Sequence, residues 1–406
     1  MKILFLSPQP FYQERGTPIA VRLALQVLTQ SGEHTVDLLC YHEGEGIEMP
    51  GVCIHRIPPI PGIRGVGPGI SWKKLVCDLV FAVVALRLCW RARRAQYALM
   101  HAVEESVFVA WVLRLLFGVP YIYDMDSSLS MQLTEKWPFT RPLGPVLRWM
   151  ERQAVRSSTA VVPVCDALAL VARAHGAADT EVLSDVSLLT LPDAPPVGPV
   201  DLRTESGAAE DEVVLLYMGN LERYQGIDLL LSSFADVQRQ GLNARLVIIG
   251  GAPEHVSRYR LLADHLGVGG AVSLLGPRPV STLAGYLRQA DILVSPRIKG
   301  ENTPMKVYSY LHSGVPMVAT RLATHTQVMD DSVALLADPD PVSFGAALAR
   351  LIGDGAERER LGKAARALAE ARYTFPVFRE TLEGIYARVA ERVEGRVSIP
   401  SAAPGR

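Results

Sequence analysis

The residues best able to do chemistry lie in one stretch, Pro296 to Thr320, PRIKGENTPMKVYSYLHSGVPMVAT. It leaves an apolar run (DILVSP, 291–296), crosses a polar loop holding Arg297, Lys299, Glu301, Asn302 and Thr303, and enters a helical pattern at Pro304, Met305 and Lys306. The first backbone N–H groups of a helix lack internal partners and sit at the positive end of its dipole, an arrangement that suits a phosphate. Arg297, Lys299 and Lys306 add cations beside it, the compensation that two phosphate charges need where water is excluded. A surface loop with scattered basic residues has the same composition, so the pattern alone leaves both readings open. A second concentration is His101, Glu104 and Glu105 in MHAVEES, with Asp124 and Asp126 in YIYDMDSS. Both groups end apolar runs. Function is one reading of the acids; capping the next helix, which Asp and Ser do well, is the other.

The elements that must position these residues alternate. Apolar runs at 2–7, 35–41, 52–57, 98–101, 119–123 and 160–164 read as strands, with helical spacing from Pro18 to Gln30 between the first two. A second series follows: strands at 213–219, 244–250, 271–276, 291–296 and 316–320, and helices at 227–240, 259–266, 281–290 and 305–313, with helical pattern dominating from Val342. This alternation predicts an α/β chain of two doubly wound, Rossmann-like domains facing a cleft, with ligands beyond the carboxyl ends of the strands. The expected divisions are a first domain at 1–185, a Pro-, Gly- and acid-rich linker at 186–212, a second domain at 213–374, a terminal helix at 375–396 packing back towards the first domain, and a disordered tail at 397–406.

Composition removes other classes. The 406 residues carry a formal net charge of -1 and no basic domain, which argues against nucleic acid as partner. The five cysteines are odd in number and form no CxxC pair, so buried thiols of a reducing, cytoplasmic compartment are expected rather than disulfides or structural zinc. The start, MKILFLSPQP, reads as a strand rather than a signal segment. Leu75 to Trp90 is almost wholly apolar but holds Asp78 and Arg87 and falls short of the ~20 residues of a span, so a buried or interfacial helix is expected.

The ordered series LVIIGG, SLLG, ADILVSP and SGVPMVAT resembles the large retaining glycosyltransferase family that includes sucrose synthase and phosphatidylinositol mannosyltransferase, over nearly all of residues 213–335. That family carries a Glu, seven residues, a second Glu in a helix, then a small-Gly-x-Pro ending. Glu301 stands at the first position and Ser309 at the second, and PMKVYSYL resembles a subgroup whose helix opens with Pro-x-Lys. In YMGNLERYQGIDLLL, Gly219 and Gly226 are kept, while Asn220 and Gln225 replace the family's Arg and Lys, leaving Arg223 as the nearest substitute cation. The loop GPRPV, with Arg278, falls where the family holds the base through its backbone, and Gly16 and Thr17 match its first Gly-rich turn.

The resemblance implies a GT-B enzyme moving a sugar from a nucleotide diphosphate donor to a hydroxyl, with retention, in surface polysaccharide or glycolipid synthesis. It places the donor on Gly16, Thr17, Gly219, Asn220, Arg223, Arg278, Arg297, Asn302, Thr303, Pro304, Met305, Lys306 and Ser309, and catalysis on His101, Asp124, Asp126 and Glu301. Neither cofactor nor metal is expected, because Asp124-Met125-Asp126 lies outside the half resembling the donor domain. Many relatives use lipid-linked acceptors, and Lys73, Lys74, Arg91, Arg93 and Arg94 around the apolar helix suggest peripheral contact with an anionic inner membrane. A nucleotide-sugar epimerase on the same scaffold, or a non-catalytic nucleotide-sugar binder, is the alternative.

Overall fold

A computed structural model describes residues 1–11, 16–44, 46, 48–67, 71–91, 97–128, 133, 142–191, 199–300 and 302–397. The chain divides into two compact units, one of Met1–Ser184 with the segment from Phe378 onward, the other of Asp185–Val377. Glu301, Arg93 and Arg94, named above, lie outside the described residues.

Unit 1 is built on six parallel strands: β1 (Lys2–Leu6), β2 (Thr35–Cys40), β3 (Val52–Arg56), β4 (Leu99–Val103), β5 (Tyr121–Met125) and β6 (Ala160–Pro163). Their order is β3-β2-β1-β4-β5-β6. The central strands are buried on both faces, which is why FLSP and LMHAV read as continuous apolar runs. The helices are α1 (Gly16–Gln30), α2 (Trp72–Arg91), α3 (Ser106–Phe117), α4 (Gly144–Ser157) and α5 (Asp166–Ala174). The crossovers β3 to β4, β4 to β5 and β5 to β6 all step in one direction along the sheet, so right-handed connections put α2, α3 and α4 on one face and α1 on the other. Accordingly α2 packs on α3, and α3 on α4.

Unit 2 repeats the plan. Its strands are β7 (Val213–Met218), β8 (Ala244–Ile249), β9 (Val272–Gly276), β10 (Ile292–Ser295), β11 (Met317–Thr320) and β12 (Leu335–Ala337), in the order β12-β11-β10-β7-β8-β9. Read from the other edge this is the order of unit 1, the doubly wound order in which ligands lie off the carboxyl ends where the winding reverses. The helices are α6 (Leu202–Ser206), α7 (Ile227–Arg239), α8 (Pro253–His265), α9 (Leu283–Leu287), α10 (Met305–Ser313), α11 (Ala323–Thr326), α12 (Pro341–Gly353) and α13 (Gly355–Arg372). A last helix, α14 (Phe375–Val397), runs from unit 2 into unit 1.

Two expectations change in detail. Much of the stretch read as linker is structured: Asp201 caps α6 by accepting from the Thr204 N–H, and Leu202 is fully buried. The apolar segment from Leu75 to Trp90 is α2, buried along Cys77, Phe81, Ala85 and Cys89 and exposed along its opposite side. Among the described residues no helix is long and apolar enough to cross a membrane.

Candidate functional site

In unit 2 the loops after β7 and β10 meet. Gly226 has φ 77°, and a Cβ there would lie 1.9 Å from the Pro296 carbonyl oxygen, so only glycine admits this approach. The Ile298 N–H donates to the Tyr224 carbonyl at 3.0 Å, closing the contact. Arg297, 8% exposed, lies over the Tyr224 ring and spends its nitrogens on its own loop: Nε to the Lys299 carbonyl at 2.8 Å, Nη1 to the Asn302 carbonyl at 3.2 Å and Nη2 to Asn302 Oδ1 at 3.3 Å. It thus shapes the loop while leaving its charge beside α10.

That helix begins after Pro304, which has no side-chain donor or acceptor with which to cap it. In its first turn Lys306 reaches back towards β7. Its Nζ sits 3.6 Å from the centre of the Tyr217 ring, buried, with no hydrogen-bond partner. Burial, and then the nearby Arg297 charge, hold this amine well below its ordinary pKa. Gly219, at φ 151°, leaves room for it: a Cβ there would lie 3.4 Å from Nζ. The arrangement sets a desolvated lysine amine and an arginine beside a helix start, at the carboxyl end of the central strand, chemistry that suits an anion.

Behind the loop lies a network that the sequence did not reveal. His325 is fully buried between Ser295 and Thr320. Its Nδ1–H donates to the Thr320 carbonyl at 2.8 Å, and Nε2 accepts from Ser295 at 2.9 Å. The Thr320 hydroxyl donates onward to the Arg297 carbonyl, tying β11 to the loop. Burial lowers the His325 pKa to about 4, so the ring is neutral.

Other predicted donor residues are placed differently. Ser309 is fully buried and its hydroxyl accepts from the Leu188 N–H at 3.0 Å, so it serves the packing of α10. Arg278 is held by Glu205 at 2.9 Å, Tyr286 at 3.2 Å and the Leu275 carbonyl at 2.7 Å. Thr303 is buried and accepts from Gln327 at 3.1 Å. Asn220 is exposed, its Oδ1 accepting from the Glu222 N–H at 3.2 Å, and Arg223 is exposed, its guanidinium making no hydrogen bond or ion pair among the described residues. Gly16 and Thr17 open α1; a Cβ on Gly16 would meet nothing within 4 Å, so nothing in the described chain demands a glycine there.

In unit 1 the ionisable residues converge at the ends of β4 and β5. His101 is sandwiched between Phe5, 4.2 Å away between ring centres, and Tyr386 of α14. Its Nδ1 lies 2.8 Å from the Tyr386 hydroxyl and its Nε2 3.2 Å from Asp124 Oδ2. Burial and the Asp124 charge hold the Tyr386 hydroxyl protonated. The imidazole thus bridges the Tyr386 hydroxyl and the Asp124 carboxylate. Asp126 follows at the end of the same strand, partly buried. Glu104, grouped with these by sequence but given no role, is the one non-glycine residue with positive φ among the described residues, at 50°. Burial, with the Glu105 charge next, raises its pKa to about 7. Lys74, expected at a membrane-facing surface, is instead buried, paired with Glu105 and donating to the Pro8 carbonyl at 2.9 Å. Ser128 bonds Glu151 at 3.0 Å.

One group among the described residues has metal-ligand types together: Asp37, Cys53 and His55, with ligand atoms within 4.8 Å of one another. They share a face of β2 and β3, but Asp37 already accepts from Tyr97 at 2.6 Å and pairs with Lys2 at 3.4 Å, so a cation there would displace a lysine.

Two parallel six-stranded Rossmann-like units are the architecture of the GT-B fold. Residues 201–368 match the family model for glycosyl transferases group 1, and residues 18–184 the glycosyl transferase 4-like domain. The chain belongs to the group 1 glycosyltransferases, retaining enzymes that use nucleotide-sugar donors. It is 27% identical over 369 residues to a D-inositol 3-phosphate glycosyltransferase of Xylanimonas cellulosilytica, covering 86% of this chain and 84% of the relative. A sucrose-phosphate synthase from Thermosynechococcus elongatus superposes with TM-score 0.77 at 20% identity, covering 96% of this chain and 99% of that one. Anabaena HepE in complex with UDP-glucose superposes with TM-score 0.69 at 16% identity, covering 95% and 99%.

Proposed function

We propose that this enzyme transfers a hexose from a UDP-sugar to a hydroxyl of a lipid-linked acceptor, with retention, in surface polysaccharide or glycolipid synthesis. The observation that carries the donor half is Lys306: a buried amine without a hydrogen-bond partner, beside Arg297 and in the first turn of a helix that Pro304 cannot cap. The UDP-glucose complex of HepE, a protein of the same fold, supports uridine as the base.

As the bond between the sugar and the donor phosphate breaks, the diphosphate gains charge. Lys306 and the first N–H groups of α10 stabilise that charge where it forms. The acceptor oxygen bonds to the sugar carbon on the face the phosphate leaves, and its proton passes to the departing phosphate oxygen. His101, Asp124, Asp126 and Glu104 are the acceptor-side groups in this reading. Arg223, whose exposed guanidinium has no hydrogen-bond or ion-pair partner among the described residues, is a further cation for the phosphates.

Titration with UDP, GDP and ADP tests the site. Lys306→Ala is expected to weaken the preferred diphosphate by roughly 1.5–3 kcal/mol, the range for a hydrogen bond to a charged group. Unchanged affinity would remove Lys306 from the donor site. Incubation with donor alone separates transfer from epimerisation, which needs no acceptor.

A further inference from the structure

The three helices on one face of the unit 1 sheet bury only their inner sides. Along α2, Trp72, Leu75, Leu79, Val83, Leu86 and Trp90 are exposed, with Leu79 at 71%. Their spacing of three and four residues puts them on a single stripe, opposite the buried Cys77, Phe81, Ala85 and Cys89. The neighbouring α3 continues the surface with Val112, Leu115 and Leu116, Leu115 being 70% exposed. Val146 and Trp149 of α4 extend it, and Trp149 meets Trp111 of α3 edge to face at 6.4 Å. Isolated exposed apolar residues are ordinary; a face continuous over three packed helices is not.

The charges on these helices have one sign. Arg87 and Arg91 on α2 and Arg148, Arg152 and Arg156 on α4 are exposed. The only acids in the three helices face inward: Asp78 accepts from Tyr41, and Glu151 is fully buried against Ser128. Pairing two copies through this face would set arginines against arginines with no carboxylate between them. An anionic bilayer answers both features, since apolar side chains enter the boundary of the acyl chains while arginines meet the headgroups. Tryptophan at each end of the α2 stripe suits that boundary, where one part of the ring is dry and the other wet.

We propose that the α2–α3–α4 face of unit 1 docks on the surface of an anionic membrane. This rests on the reading of the acceptor as lipid-linked, and replaces the basic cluster expected from sequence, in which Lys74 is buried and Lys73 donates to the Arg64 carbonyl. Binding of the full chain is read by flotation with vesicles of equal parts phosphatidylcholine and phosphatidylglycerol, at low and high salt, with phosphatidylcholine alone as comparison. The wild type floats with the anionic vesicles. Leu79→Glu with Leu115→Glu lowers the bound fraction at least roughly tenfold at both salt levels, because two apolar anchors are lost. Arg87→Gln with Arg148→Gln and Arg152→Gln weakens binding at low salt and flattens its salt dependence. All these positions are exposed, so circular dichroism and UDP affinity stay at wild-type values, and loss of UDP binding in the wild type would strike the donor reading alone. A wild type that ignores both vesicles, or binding untouched by the leucine changes, overturns the proposal. So does a dimer in sedimentation velocity that Leu79→Glu dissolves, which makes the face a contact between copies.

Discussion

The Lys306 amine is buried without a hydrogen-bond partner and held well below its ordinary pKa, so its charged form is costly until an anion lies beside it. Lys306→Ala therefore has two opposed consequences: it weakens diphosphate binding, yet removes a desolvated, unpartnered amine from the free protein, whose melting temperature should not fall as it would for an ordinary core truncation. His101 poses a different problem, because both its nitrogens are committed, to Tyr386 and to Asp124. If this chain of bonds orients a group used in turnover, Asp124→Asn lowers kcat while UDP affinity stays near wild type. Tyr386→Phe, which removes the hydroxyl beside Nδ1, shifts the rate in the same sense. Steady-state kinetics beside UDP titration checks both, and a normal transfer rate in each would reduce Asp124 to a packing partner.

At the scale of elements, what was legible followed from periodicity. Helix α10 spans Met305–Ser313, the range read from spacing, since Pro304 starts it and Gly314 at φ 74° ends it. Strands β7 and β8 were legible as β-branched and leucine runs between turn residues. Strand β12 was not, because three residues leave no pattern. Helix α8 begins at Pro253, six residues before its apolar spacing suggests, in a first turn that is polar. Side-chain roles were less legible still. Nothing near Arg278 announces Glu205, 73 residues earlier, and nothing distinguishes Lys73 from Lys74 until a helix turns one inward. Sequence showed Gly226 only as kept from the family pattern, whereas the structure shows that the Pro296 carbonyl demands it. Gly226→Ala must push the loops after β7 and β10 apart, and is expected to cost at least ~2 kcal/mol of stability and to weaken UDP. Chemical denaturation with UDP titration tests this; a variant as stable as wild type would mean the loops part freely.

Across the whole molecule, His325 in unit 2 and Glu104 in unit 1 answer acidification with opposite signs. His325 has its pKa lowered from 6.5 to about 4, so unfolded chains take up its proton first and unit 2 loses stability as pH falls through that window. Glu104 has its pKa raised from 4.5 to about 7, so its contribution to unit 1 is complete below 4.5 and lost as pH rises through 7. The chain supplies its own way to tell them apart. All five tryptophans, at 72, 90, 111, 137 and 149, belong to the segment of unit 1, so their fluorescence follows that unit while circular dichroism follows both. Between pH 7 and 5, denaturation read by fluorescence should shift to higher urea, and the remaining dichroism change to lower urea. Parallel shifts would refute the assignment. The bond between His101 and Tyr386 carries a further consequence, one of time. Its partners are 285 residues apart in sequence, and all of unit 2 is made between them. At ~5–20 residues per second a ribosome needs roughly 15–60 s to cover that distance. Throughout that interval a new chain holds the strands of unit 1 without the tyrosine that orders their histidine, so unit 2 can finish folding before unit 1 closes its own site.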